Sequence, residues 1–336
     1  MTTTFGAHDR ALVVAEIGNN HEGDAAVALE LVRRAADAGV DAVKFQTYRT
    51  ELFVRPADTA RSERLRRYQL SPADFARLAD AAHARGLLFV STPLDLDSVT
   101  VLEPLVDAFK IASGDITFAP LIERVASTGR PVVLSSGASN IDEIKRAIAT
   151  LHGVWAARPA CPELTVLHCV SCYPAPDDQA SLAAIPFLRG ELGVPVGYSD
   201  HTLGIDAAVY AAVLGASLIE KHFTLDKRYS DFRDHQLSAD PDEMKTLVAR
   251  VRHVPRLLGS AGKSLQACEG PMRDAIRRSI VAAADLPAGH VLGAADLMWM
   301  RPATGGVAPG GESQFIGRRL RRDMRRGDSF IVGDAD

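Results

Sequence analysis

Two lysines, two histidines and a set of hydroxyls recur at one kind of place in this sequence, the polar end of a short apolar run. Lys44 sits in Ala42-Val43-Lys44-Phe45 and Lys110 in Ala108-Phe109-Lys110-Ile111. A lysine buried in such a run is costly unless an anion accompanies it. Thr92, Ser113 and Ser135 close neighbouring runs and add hydroxyl donors, a set that suits a phosphate or carboxylate ligand. Each lysine could instead pair with a structural carboxylate, or act as the Schiff-base amine of a class I aldolase. His201 and His222 end two consecutive runs. On adjacent strand ends they could share one cation, with carboxylates and ligand oxygens completing the shell. Mn²⁺ or Mg²⁺ suits such a set better than a four-coordinate structural Zn²⁺. A plain hydrogen-bonded pair of rings is equally consistent with the two histidines alone. Asp234 and His235 lie in a polar loop, Tyr229–Ser238, and are either solvated or reach the same rim.

Positioning these groups takes eight short apolar runs: Ala11–Ala15, Ala42–Phe45, Leu87–Val90, Ala108–Ala112, Pro131–Leu134, Thr165–His168, Pro195–Tyr198 and Ser217–Ile219. Amphipathic stretches such as Ala25–Ala38, Pro72–Ala84, Ile141–Leu151 and Ile205–Leu214 separate them. Asp24, Ser71 before Pro72, and Asn140 with Glu143 three residues on are helix-start signals. Gly39, Gly86, Gly129 and Gly215 stand where helices should stop. Eight strands with crossovers predict a parallel α/β fold, and the count favours a closed (β/α)8 TIM barrel over an open sheet. No G-x-G-x-x-G follows the first run, which weakens a dinucleotide-binding alternative. In a barrel the residues just past the strand C-termini line the active site. They include Glu16, Asn19, Asn20, His21 and Glu22 from the first strand, and Lys44 and Gln46 from the second. Ser91 and Thr92, Lys110 and Ser113, and Ser135 and Ser136 follow in order. His168, Ser171 and Tyr173, then Ser199, Asp200 and His201, then Glu220, Lys221 and His222 complete the ring. The Arg-rich segment Arg55–Tyr68 reads as a solvated helix or loop, or as a cover over an anionic substrate.

The barrel is expected over 1–258, a linker over 259–276 and a small β-rich domain over 277–336. Strands are predicted at Ser279–Ala284, Leu297–Arg301 and Ser329–Val332. A domain of about 60 residues is marginal alone and is expected to dock on something. Lys and Arg number 38 against 42 Asp and Glu, so no global basic field favours nucleic acid or a membrane surface. The six arginines of Arg318–Arg326 read as a solvated face or subunit contact. No signal core opens the chain and no run nears the ~20 apolar residues of a membrane helix, which predicts a cytoplasmic protein. Cys169 and Cys172 form a C-x-x-C, but Cys161 and Cys268 do not supply a second pair, so no zinc site is expected.

The run Ala15-Glu16-Ile17-Gly18-Asn19-Asn20-His21-Glu22-Gly23 resembles the opening motif of the sialic acid (N-acetylneuraminate) synthase family. Val43–Thr47, Ser91-Thr92-Pro93, Phe109–Asp115, Leu134–Gly137, Leu167-His168-Cys169, Tyr173-Pro174, Gly197–Thr202 and Glu220–Thr224 match later motifs in order. The C-terminal segment, with Arg278–Ala282, Met300-Arg301-Pro302 and Pro309-Gly310, resembles the antifreeze-like (SAF) domain of these enzymes. The resemblance implies condensation of phosphoenolpyruvate with a sugar aldehyde. It assigns phosphoenolpyruvate to Lys44, Thr92, Lys110, Ser113, Ser135, Ser171 and Ser199. It assigns a divalent ion, Mn²⁺ or Mg²⁺, to His201 and His222. Glu16, Tyr173 and Asp234 would touch the sugar or move protons, and Glu220 would orient the metal site or a water. It further implies a homodimer in which each SAF domain caps the partner's barrel and Arg301 binds the sugar's N-acyl group. Two positions depart from the N-acetylneuraminate pattern. Ser171 replaces an Asn, and Arg277 lies near an expected aromatic residue. They point toward another acceptor, such as a di-N-acetylated bacterial sugar or an unacylated one. The alternatives are the same condensation on an aldose of antibiotic or spore-coat sugar synthesis, and a non-catalytic sugar-binding protein on this scaffold.

Overall fold

Period-two alternation builds the first part of the molecule. In the computed structural model, which describes residues 10–303 and 305–336, the chain divides into two units, Met1–Gly259 and Ser260–Asp336. The reading of the first nine residues as lacking a signal core falls outside the described residues.

Eight parallel strands close into a barrel in sequence order: β1 (Leu12–Gly18), β2 (Ala42–Thr47), β3 (Leu88–Pro93), β4 (Ala108–Ile111), β5 (Val132–Ser135), β6 (Leu164–Cys169), β7 (Val196–Asp200) and β8 (Leu218–His222). β1 pairs with β8 to complete the circle, which establishes the TIM barrel. One face of each strand is apolar and packs outward on the helices: Val13, Ala15 and Ile17 of β1, Val43 and Phe45 of β2, Phe109 and Ile111 of β4. The other face fills the barrel interior with Leu12, Val14, Ala42, Val90, Ala108, Val133, Leu167 and Leu218.

Several strands run beyond the apolar runs that announce them. β1, β3 and β8 gain polar residues at their C-terminal ends because backbone pairing continues there: Glu16 lies opposite both Lys44 and His222, and Gln46 opposite Thr92. Hydrophobicity marks where the interior is dry, whereas the ladder continues into the polar mouth.

The helices start where their caps stand. Asp24 accepts from the backbone of Ala26 and Val27 to open Ala25–Ala38, which Gly39 ends at φ 85°. Ser71 with Asp74 and Asn140 with Glu143 form reciprocal capping boxes on Pro72–His83 and Ile141–Trp155. Each such cap stabilises a helix by about 1 kcal/mol. The Arg-rich insertion after β2 folds into a helix, Thr59–Tyr68, capped by Asp58. Pro241–Leu258 is the last barrel helix.

In the second unit β9 (Ser279–Ala282) pairs antiparallel with β10 (Leu297–Met300). Ile280, Leu286, Leu292, Phe315, Leu320 and Phe330 form its own core. The segment 259–276 carries a short helix, Gly270–Ile276. The strand expected at Ser329–Val332 does not form; Ser329 makes only an isolated bridge to Val281. The Asp334 carboxylate accepts from the Ile331 N–H at 2.9 Å, and that local capture ends the pairing. Among the described residues no helix is long and apolar enough to cross a membrane.

Candidate active site

The inward face of the barrel changes character one step above its apolar plug. Val14 is followed on that face by Glu16, Ala42 by Lys44 and Gln46, Val90 by Thr92, and Ala108 by Lys110. Val133 is followed by Ser135, Leu167 by Cys169, and Leu218 by Glu220 and His222. These polar ends line one cavity of about 880 Å³ at the C-terminal mouth. Ser113, Ser171, Tyr173, Ser199, His201 and Asp234 line the same cavity from strand ends and loops. The barrel residues to which the resemblance assigns a role therefore meet in one place. Arg301 belongs to the second unit, where it is exposed.

Strand parity removes several other expectations. Asp200 and Lys221 face away from the mouth and pair with each other at 3.0 Å, both fully buried. Ser91 is bonded to Thr47 and to the Phe45 carbonyl, Ser136 to the Leu167 carbonyl, and His168 lies 2.8 Å from the Ala180 carbonyl. None of them lines the cavity. Asn20 donates to the Phe223 carbonyl and Ser238, and His21 accepts from the Gly23 N–H. Both support loops rather than the cavity. His235 is buried on Thr224 (2.7 Å) and Glu22 (3.2 Å), so only Asp234 of that pair reaches the mouth.

Both lysines are ion-paired. Lys44 Nζ lies 2.9 Å from Glu16 and 3.6 Å from Glu220, and Lys110 Nζ lies 2.7 Å from Glu220. All four are at most 5% exposed, so burial opposes every charge and the pairing must offset it. Burial works against the Glu220 anion, but Lys110, Lys44 and the Ser199 hydroxyl at 2.9 Å hold its carboxyl well below the usual range. Glu16 goes the other way: burial raises it, and Lys44 only partly compensates. Burial likewise opposes the Lys44 cation, yet two carboxylates leave it raised. Lys110, with one carboxylate and Lys44 repelling it, is lowered. Charge pairing keeps either amine from being a free nucleophile, which weighs against Schiff-base chemistry.

The two histidines stand with ring centroids 5.5 Å apart. His201 Nδ1 lies 2.8 Å from the Val170 carbonyl oxygen, which makes Nδ1 the protonated nitrogen and leaves Nε2 with a lone pair. Burial holds His222 well below its ordinary value, and the Lys44 ammonium, with His201 whenever that ring is protonated, pushes it the same way. Its ring is neutral at pH 7, and its buried Nδ1 has no hydrogen-bond partner. Among the described residues no group of three His, Cys, Asp or Glu could hold a metal ion. Two imidazole donors fit an ion whose other positions go to water and substrate oxygens, and do not fit a closed structural zinc site.

Cys169 was not expected here. Its thiol lies 3.7 Å from both Ser113 Oγ and His201 Nδ1. Burial opposes its thiolate, but the bond to His201 lowers it overall. The period-two step from Leu167 was the signal for it. Ser113 and Ser171 crowd round Gly137: a Cβ there would collide with both hydroxyls, and the Gly137 N–H donates to Ser113 at 3.0 Å. Tyr173 stacks on His201 with centroids 4.1 Å apart and carries the Arg233 guanidinium over its ring. Burial raises the Asp234 carboxyl. Phe53, Arg61, Arg64, Arg67 and Tyr68 close one side of the mouth, and Ser230 to Asp234 another.

The NeuB family profile matches residues 31–263, and the SAF domain profile matches residues 277–330. An N,N'-diacetyllegionaminic acid synthase of Legionella pneumophila is 37% identical over 97% of this chain and 95% of its own. Another from Campylobacter jejuni is 35% identical over 94% and 97%. The crystal structure of an N-acetylneuraminic acid synthetase from Leptospira borgpetersenii is 32% identical, covers 78% of this chain and 90% of that one, and superposes with a TM-score of 0.73. With a closed eight-stranded barrel, a polar mouth built by strand parity and a C-terminal SAF domain in the sequence, the chain belongs to the NeuB family.

Proposed function

We propose that the protein condenses phosphoenolpyruvate with the open-chain aldehyde of an amino sugar, giving a sialic-acid-like 2-keto-3-deoxy acid and phosphate. The observation that carries this reading is the convergence of two buried lysines, five hydroxyls and two histidines on one cavity. Lys44 and Lys110, with Thr92, Ser113, Ser135, Ser171 and Ser199, bind the phosphate and carboxylate of phosphoenolpyruvate. Glu16 and Glu220 keep both ammonium groups charged in a dry site until the anion arrives. The methylene carbon of phosphoenolpyruvate bonds to the aldehyde carbon, and C2 takes up water. The resulting tetrahedral carbon loses phosphate by cleavage of its C–O bond, and the ketone forms.

His201 and His222 are the residues that would hold a divalent ion, Mn²⁺ or Mg²⁺, which when bound polarises the aldehyde oxygen. Glu16 bonds to Gln46 at 3.2 Å and Gln46 to Asn19 at 3.1 Å, a relay that orients the carboxyl for a sugar hydroxyl or a proton transfer. Asp234, whose carboxyl burial raises, is the group placed to hold and return a proton, help typically worth ~10²–10⁴ in rate. Tyr173, packed on His201, orients the sugar. Glu220 positions Lys110 and Ser199. Arg301 of a second subunit binds the N-acyl group in a homodimer whose SAF domain caps the partner's barrel. The two diacetyllegionaminic acid synthases among the relatives support a di-N-acetylated hexose as acceptor.

The test is phosphate release from phosphoenolpyruvate with Mn²⁺, across N-acetylmannosamine, mannose, arabinose and the di-N-acetylated hexoses, with the keto acid identified by mass. One sugar should support turnover. A metal-stripped sample and His222→Ala, with unchanged circular dichroism, should not. Silence from every sugar in the folded, metal-loaded protein would overturn the reading.

A further inference from the structure

The helix Thr59–Tyr68 carries four arginines and one glutamate in a protein whose net charge is −4. It is one wall of the mouth, and Arg61, Arg64 and Arg67 from it line the cavity. Their spacing, i, i+3 and i+6, puts them along one side of the helix. Leu65 and Tyr68 anchor that helix by burial, while all three arginines stay exposed. Arg61 lies over the Phe53 ring at 5.2 Å, and Arg67 over the Tyr68 ring at 4.9 Å. Ring faces hold the guanidiniums in place without cancelling their charge. Among the described residues no carboxylate pairs with any of the three. Elsewhere on the surface arginines are commonly neutralised, as Arg33 is by Glu30 and Asp37 and Arg49 by Glu51 and Asp97.

The inner site contrasts with this wall. Lys44 and Lys110 are paired to Glu16 and Glu220, so the charge that a distant anion meets there is largely cancelled. The wall beside it, after β8 and β1, is acidic, with Glu22, Asp231 and Asp234; Phe232 of that wall meets Tyr68 with ring centroids 5.4 Å apart, and Arg233 lies 3.5 Å from Asp234. The cavity thus has one cationic and one acidic side. The cationic side follows β2, the strand of Lys44, which pairs with β3 carrying Thr92.

We propose that Arg61, Arg64 and Arg67 form an outer anion-collecting surface. It captures phosphoenolpyruvate first and delivers it to the inner site, leaving the acidic wall to the neutral sugar. The proposal rests on the phosphoenolpyruvate reading of the site. Cationic walls of this kind raise the local concentration and on-rate of an anion, by factors that fall steeply with ionic strength.

The experiment is steady-state kinetics of the full-length, metal-loaded protein at about 20 to 500 mM KCl, spanning weak to strong screening, varying phosphoenolpyruvate and the sugar separately. Arg61→Gln/Arg64→Gln should raise KM for phosphoenolpyruvate roughly tenfold at low salt, change kcat less than about twofold, and leave KM for the sugar unmoved. The salt dependence of kcat/KM for phosphoenolpyruvate should flatten in this variant and survive in Arg61→Lys/Arg64→Lys. Arg61→Glu/Arg64→Glu should go beyond the glutamine variant. An unchanged salt slope, or a rise in sugar KM in place of the phosphoenolpyruvate KM, overturns the proposal; the latter outcome would give this wall to an anionic acceptor. If the native protein does not turn phosphoenolpyruvate over at all, it is the underlying functional reading that fails.

Discussion

Lys110 and Glu220 lie 2.7 Å apart in a place that is nearly dry. A buried pair of this kind adds little net stability, but an orphaned member costs roughly 3–5 kcal/mol. Glu220 would still have Ser199 at 2.9 Å and Lys44 at 3.6 Å, which favours the lower end. Lys110→Met should therefore lower the unfolding free energy by about 3 kcal/mol in urea melts with an unchanged m-value, and abolish turnover. Adding Glu220→Gln should recover most of the stability and none of the activity. If Lys110→Met were as stable as the native protein, Glu220 could not be a buried anion. Both lysines were conspicuous in the sequence as charges in apolar runs. Their carboxylate partners were not assignable, because Lys110 and Glu220 are 110 residues apart and meet only across the barrel.

The β8 loop shows how one element places another. Glu22, at φ 48°, accepts from Ser230 Oγ and lies 3.2 Å from His235 Nε2, while His235 Nδ1 meets Thr224 at 2.7 Å. Ser238 donates back to the Asp234 carbonyl. The loop after β1 thus clamps the loop that carries Asp234. His235→Ala should leave the barrel folded, speed hydrogen exchange across 224–238 and cut kcat roughly ten- to hundredfold, as small misplacements of reacting groups do. Faster exchange with native kinetics would mean that the clamp does not position the site. This histidine was singled out beside Asp234 as a possible rim group. Its position in a short helix, Arg233–Leu237, turns it inward.

At the scale of the molecule, each unit has its own core, yet the proposed site needs Arg301 from a second subunit. Mixing decides that. His222→Ala and Arg301→Ala should each be inactive or nearly so. Refolded together, half the dimers should hold one intact site, restoring about a quarter of native activity if the Arg301 side chain acts in trans. No restoration would place barrel and arginine in one chain's own site.

The order and number of strands, the helix starts and nearly all the cavity's polar residues could be read from the sequence. Each is a local matter: apolar runs, caps such as Asp24 and Asn140, and a polar residue where a run ends. What the tertiary structure alone decided was facing and partnership. Ser91, Ser136, His168, Asp200 and Lys221 end their strands as conspicuously as Thr92 or Glu220 do, and are outside the cavity because one residue of register turns a side chain to the other face of the sheet. Cys169 is inside for the same reason. Parity becomes visible only once closure of the barrel says which face is inward.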